Sequence, residues 1–363
     1  MEFSLNLPVN PVSFGQVSTA ILKEIKGRGL TPPLVSIGPV DLSSQEQDEE
    51  FINWIRLCLS KFNREHRRKN PIIKLWHMNG GMESFSERQI LVSFYELDNP
   101  TPAELNIVKN NHKTLFTSKY TCDVFSSYGC DNVGYLPLGF DSSNFKRTEK
   151  QYFSDGRITF NLVGKFEKRK HHSKILAAWA KRFGNDRKYA LQCSVYNTFL
   201  KPEHNHSLFV GSLNNQKYFN INSIGFMAQN KVYNDFLNSG DIIVGMSGGE
   251  GWGLPEFQSV ALGKHSVILD CNGYKSWANE KNSVLVRPTS KTPAYDGIFF
   301  HPNQEFNQGN IFDFNEDQFI NACETAIKRV ESNKINEEGI KLQSDFTYAK
   351  TVDALLEQVR LCQ

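Results

Sequence analysis

At 363 residues the chain is too long for one ordinary domain and implies two, of roughly 150 to 200 residues each. Lys and Arg number 41 against 39 Asp and Glu, a net of +2, which excludes a bulk electrostatic pull toward nucleic acid or an anionic membrane. Hydrophobic residues at 39% and charged residues at 22% exclude a disordered chain, and seven scattered cysteines with no Cys-x-x-Cys pair give neither a disulfide framework nor a zinc ribbon.

The opening MEFSLNLPVNP has no basic stretch followed by an apolar run, and no apolar segment approaches ~18 residues, so the expectation is a cytoplasmic chain without a membrane span. From there, short β-rich runs alternate with amphipathic stretches. FSLNL is followed by a loop through Gly15 and the helical QVSTAILKEIK, then by PLVSIG and a long helix from about Glu46 to Arg68. IIKLWH, ILVSFY, TLFTS and VGYLPLG read as further strands, with helices near 102–110 and 119–128 between them. Such alternation predicts an α/β fold with a parallel sheet covered on both faces.

Between Phe140 and Asp155 the sequence turns polar and aperiodic, which predicts a boundary between one domain over 1–150 and a second over 151–345. The second repeats the pattern: ITFNLVG, YALQCSV, NSIGF, DIIVG, HSVILD and SVLVRP alternate with helical stretches at 172–183, 229–239 and 254–263. Residues 287–312 are rich in Pro, Gly and Asn and too long for a plain connection, so they predict an excursion or lid. From Asn315 the chain reads as helical. Its last segment, 346–363, carries Val352, Leu355, Leu356 and Val359 in helical register and is expected to pack back toward the first domain.

In open parallel sheets ligands bind beyond the carboxyl ends of the strands, so two loops come first. After DIIVG runs Met246-Ser247-Gly248-Gly249-Glu250-Gly251-Trp252-Gly253-Leu254-Pro255. Glycines let backbone approach a ligand, Pro255 can open a helix, and a carboxylate in such a cradle suits hydroxyls rather than phosphate. The same run also fits a tight turn with a surface glutamate. After ITFNLVG, Lys165, Lys168, Arg169 and Lys170 put four cations within six residues. Alone they fit a solvated face, but at the same sheet edge as the glycine loop they can neutralise a diphosphate leaving group.

The segment SGGEGWGLPEFQSVALGKHSVILDCNGYKSW resembles the signature of retaining GT-B glycosyltransferases of the family-four type (glycosyl transferases group 1), and VGKFEKRKHHSKILAAWAKRF resembles that family's basic segment. GYLPLGFDSSNF and SFGQVSTAILKEIKGRG resemble its strand before the linker and its first glycine loop, so the likeness spans nearly the whole chain in order. The resemblance implies two Rossmann-like domains facing across a cleft, the second holding a nucleoside-diphosphate sugar and the first an acceptor. It implies a sugar contact for Glu250 and hydroxyl contacts from the backbone of the turn Gly251, Trp252, Gly253 and Leu254, with Gly249 and Gly15 in the donor site. Lys165, where an arginine is usual, and Lys170 would hold the diphosphate with Arg169 beside them. Both Glu250 and Lys170 are expected at a solvent-accessible cleft.

Where the family has a second glutamate that grips the ribose, this chain has Gln258. Glu256, two residues away, falls on another face of the helix and does not replace it. On the acceptor side stand Glu96, after ILVSFY, and His77, in LWHMNGG; each also fits a structural residue at a strand end. The base would sit near Gly225–Met227. No Asp-x-Asp occurs, and neither His171–His172 nor His204-x-His206 has the spacing of a metal site, so no metal and no cofactor are expected.

The stripe Phe51, Trp54, Ile55, Cys58, Phe62 ends in Lys61, Arg64, Arg67, Arg68 and Lys69. Cations there complement the helix dipole, or else give a weak contact with an anionic surface such as lipid or nucleic acid. The reading is a metal-independent, retaining glycosyltransferase acting on an acceptor hydroxyl of a glycan, lipid, protein or nucleic acid. Its rivals are a non-catalytic nucleotide-sugar-binding subunit and another GT-B enzyme such as a sugar epimerase.

Overall fold

The structure is a computed structural model that describes residues 2–150 and 155–362. The expected boundary at 150/151 borders residues 151–154, which lie outside the described residues, as does Gln363.

The first sheet is built from β1 (Ser4–Leu7), then α1 (Ser13–Gly27), β2 (Leu34–Ser36), α2 (Glu49–Glu65), β3 (Ile72–Leu75), β4 (Gln89–Ser93), α3 (Pro102–Asn110), β5 (Lys113–Phe116), α4 (Lys119–Ser127) and β6 (Val133–Tyr135). Its strands run parallel in the order β2-β1-β3-β4-β5-β6. β1, β3 and β4 are buried at every position, as strands of a parallel sheet covered on both faces are, and they carry Ser4, Asn6 and Lys74 inside with the apolar residues. α2 is shorter than expected because Asp48 caps it, accepting from Phe51 N at 3.0 Å, and His66 leaves the helical region.

The second sheet repeats the plan with β7 (Ile158–Val163), α5 (His172–Phe183), β8 (Tyr189–Ser194), α6 (Pro202–Ser212), β9 (Ile221–Ser223), α7 (Asn230–Ser239), β10 (Ile242–Gly245), α8 (Leu254–Ala261), β11 (His265–Leu269) and β12 (Val284–Val286). The strands are parallel in the order β12-β11-β10-β7-β8-β9. α6 is the helix that periodicity did not reveal, since it buries only Asn205 and has no apolar stripe.

The expected excursion is an antiparallel hairpin, β13 (Ser290–Pro293) with β14 (Asn310–Asp313), whose long tip crosses to the first domain. There Ala294, Phe300 and Ile311 join Tyr95, Leu97, Ile107, Phe116 and Phe125 in one apolar cluster. Asp98 accepts from Asn310 N at 2.7 Å and pairs with Lys291 at 2.7 Å, and Glu104 accepts from Asn307 N at 2.9 Å. The segment is therefore a strap between the domains rather than a free lid.

The chain closes with α9 (Glu316–Ser332), α10 (Glu337–Ile340), α11 (Leu342–Asp345) and α12 (Tyr348–Leu361). α12 packs on α1 and β3, burying Val352, Leu355, Leu356 and Val359, and Thr351 Oγ1 donates to Pro137 O at 2.8 Å. The first-domain core continues without a break into Trp252, Phe257 and Trp277 of the second domain and into this helix.

Candidate active site

Each sheet reverses its strand order once, between β1 and β3 in the first and between β7 and β10 in the second. Chain segments leaving either side of such a reversal diverge and leave a crevice at the carboxyl ends. Gly15 lies in the first turn of α1, which follows β1, and His77 in the loop after β3; the loops after β7 and β10 carry Lys165 to Lys170 and Glu250. Topology alone thus brings the separately read motifs to two facing sheet edges.

At the second edge the charges form one cluster. Glu250 Oε1 accepts from Lys170 Nζ at 2.5 Å and from Arg169 Nη1 at 3.0 Å. Arg169 also pairs with Glu167 at 2.9 Å and, across the domain interface, with Glu96 at 3.2 Å. Lys165 pairs with Glu167 at 2.9 Å. Glu250, Arg169 and Lys170 are each only 7% exposed, so the expected solvent-accessible cleft at Glu250 and Lys170 is corrected to a buried interface between the domains.

Burial works against the Glu250 carboxylate, but Lys170 and Arg169 outweigh it and hold its pKa well below the usual range. The same balance keeps Arg169 and Lys170 charged: burial opposes them and the carboxylates prevail. For Glu96 burial wins, and its pKa is raised despite Arg169.

The glycine loop is shaped by close contact. Gly253 has φ 80° and starts α8, a conformation that side chains other than glycine rarely adopt. A Cβ on Gly249 would lie 2.9 Å from Glu96 O, and one on Gly251 2.8 Å from Phe94 Cβ, so both spacings are fixed by the first domain. Thr117 Oγ1 donates to Gly251 O at 2.9 Å. Behind the loop, Asn272 Nδ2 donates to Gly248 O at 2.8 Å and its Oδ1 accepts from Glu250 N at 3.3 Å. The Trp252 side chain is buried in the core against Phe257 and Phe346, and that of Leu254 packs at the edge of the same core. Gln258 is buried on α8.

On the first-domain wall, His77 lies against Phe14, with ring centroids 4.3 Å apart, and Phe14 meets Phe94 at 4.4 Å. The surrounding protein, and then Lys165, lowers the His77 pKa and favours neutral imidazole. Gly15 leaves no room for a side chain, since a Cβ would sit 2.1 Å from Asn10 O. Arg169 stands opposite Glu96 across the interface. Gly225–Met227 follows β9, with Phe226 half exposed. His171 and His172 hold backbone carbonyls, of Phe312 at 2.8 Å and Val163 at 3.3 Å. Among the described residues no group of three His, Cys, Asp or Glu is placed to hold a metal.

No protein-family model matches the chain, and no curated protein matches it in sequence. Solved structures do. Sucrose-phosphate synthase from Thermosynechococcus elongatus superposes with a TM-score of 0.68 at 12% identity, covering all of both chains. The Anabaena protein HepE, solved with UDP and glucose, gives 0.67 at 12% identity over 99% of this chain and all of that one. A glycosyltransferase from Rickettsia africae gives 0.67 at 12% identity over 99% and 98%. The fold is GT-B. At such identities the likeness concerns architecture, and the side chains must be judged on their own geometry.

Within this GT-B frame, three participants escaped sequence reading. Glu167 is a buried carboxylate joining Lys165 to Arg169. Asn272 braces the glycine loop. Glu256, set aside because of its helix face, is buried near Tyr274 and Lys170, and burial above all pushes its carboxyl up to about 7. The only sequence signal for the first was its place inside a cation run; Asn272 and Glu256 both lay within the resembling segment.

Proposed function

We propose that the chain is a glycosyltransferase that moves a sugar from a nucleoside diphosphate to an acceptor hydroxyl with retention of configuration and without a metal ion. The observation that carries the reading is the meeting of Glu250, Lys170 and Arg169 at the strand-order reversal of the second sheet, opposite Glu96 of the first domain. Support also comes from GT-B neighbours whose structures hold UDP or UDP-glucose.

The cluster balances Lys165, Arg169 and Lys170 against Glu96, Glu167 and Glu250. An arriving diphosphate needs cations released from carboxylates. If Glu250 turns toward the donor sugar's hydroxyls, Lys170 and Arg169 are freed for the leaving phosphate, where fixed positive charge stabilises the developing anion. Lys165 adds a third cation from the cleft side. The departing phosphate then takes the acceptor proton, with Glu96 and His77 on the acceptor side.

A second reading, a nucleotide-sugar-binding subunit, is favoured by the fact that Glu250 is fully engaged and the glycine loop lies against first-domain backbone. Release of labelled sugar or of nucleoside diphosphate from UDP-, GDP- and ADP-sugars, with an acceptor panel, separates the two: turnover supports the transferase, and tight binding without turnover supports the subunit. Turnover should persist in EDTA; activity abolished by EDTA and restored by magnesium or manganese removes metal independence.

A further inference from the structure

Of the three cations at the site, Lys165 is held differently. Arg169 and Lys170 are buried and bound by carboxylates, whereas the Lys165 side chain is 40% exposed and meets one carboxylate, Glu167, which Arg169 shares. Its ammonium also lies 4.7 Å from the ring centre of Phe299 and 5.2 Å from that of Phe199. The two rings meet edge to face, centroids 5.3 Å apart at 84°. Phe199, in the loop after β8, is 68% exposed, a large ring left in water beside the cleft.

Phe299 reaches this place through the strap. The next residue, Phe300, is anchored in the first-domain cluster, and Lys168 Nζ holds the strap's base through Pro293 O at 2.7 Å and Tyr295 O at 3.1 Å. The ammonium thus comes from the second domain, and one of its rings is fastened to the first. An aromatic ring holds a cation without cancelling its charge, as a carboxylate would. A lysine on its flexible stem otherwise samples many positions. Two rings therefore restrict the ammonium while leaving its charge available to an anion.

We propose that Phe199 and Phe299 are positioning residues that hold the Lys165 ammonium in place for the diphosphate of the donor. This inference rests on the glycosyltransferase reading above. It is tested by calorimetry with UDP, GDP and ADP and, by competition, with the matching nucleosides, on the full chain and on Phe199→Leu, Phe299→Leu and Phe299→Tyr. For whichever diphosphate binds, each leucine variant should weaken it by about five-fold, the size of one partly desolvated cation–ring contact. The nucleoside should change less than about two-fold, and Phe299→Tyr should restore diphosphate affinity. Equal affinity in wild type and both leucine variants overturns the inference, as does an equal loss for diphosphate and nucleoside; the functional reading survives either result. A wild-type chain that binds none of the three diphosphates overturns both.

Discussion

Two runs of cations read alike in the sequence and end in opposite environments. At the end of α2, Arg64 and Arg67 are exposed and donate to nearby backbone carbonyls of Ser60, Arg64 and His66, while Lys61 holds Thr31 and pairs with Glu65 at 3.4 Å. After β7, Arg169 and Lys170 are buried and held by carboxylates from three other loop positions, one of them in the other domain. The first run leaves Arg64 and Arg67 in water, where removing either charge changes little. The second makes Arg169 and Lys170 the counterions of carboxylates buried with them. A charge run thus has no fixed meaning; the sheet edge on which topology sets it decides.

The contrast breaks or holds first on stability. Arg169→Met leaves Glu96, Glu167 and Glu250 short of a buried counterion and should lower the unfolding free energy by about 3–5 kcal/mol, whereas Arg64→Met should stay within about 0.5 kcal/mol of wild type. Urea titrations of both variants decide it, and equal losses would erase the distinction. Next in size are Glu250→Ala and Lys170→Ala, each expected to cut sugar transfer by at least ~100-fold, about 3 kcal/mol of transition-state stabilisation. Single-turnover rates on protein shown to be folded provide the check. Because both residues are buried, these variants should also unfold more easily, unlike alanine variants in a solvent-accessible cleft.

A subtler effect belongs to Glu256. Its folded pKa, about 7, lies above the ordinary carboxylate value of 4.5. A group raised in the folded state contributes its stability below the unfolded pKa and loses it as pH rises through the folded value. Relative to Glu256→Gln, wild type should therefore lose stability between about pH 4.5 and pH 7; parallel melting profiles across that range would show that Glu256 does not titrate there. Smallest of the site effects, Gln258→Ala should weaken nucleoside-diphosphate binding by about 1 kcal/mol, the net worth of one hydrogen bond. Unchanged affinity by calorimetry would place the ribose elsewhere.

What the sequence revealed follows from the same distinction between local and distant causes. Short apolar cores such as Ile90-Leu91-Val92 in β4 and Val267-Ile268-Leu269 in β11 mark buried parallel strands, and Gly253 with Pro255 marks the opening of α8, so the two sheets and both motif loops were legible. α6 was not, because a helix that buries one asparagine has no apolar period to display. The strap was visible only as an over-long connection; its docking depends on Asp98, Glu104 and a cluster some 200 positions away in the chain. The Arg169–Glu96 pair and the burial of Glu256 were beyond reach for the same reason, since no local pattern encodes which surface the other domain will cover.

Under the proposed function, the buried cluster at the second sheet's reversal point holds a nucleoside-diphosphate sugar. The most direct test is calorimetric titration of UDP-glucose, GDP-mannose and ADP-glucose into wild type and into Lys170→Ala shown by circular dichroism to be folded. The account predicts that wild type binds at least one donor and that Lys170→Ala binds it about tenfold or more weakly, the worth of one charge-assisted hydrogen bond. Wild type that binds none of the three, or Lys170→Ala that binds the same donor equally well, would contradict it.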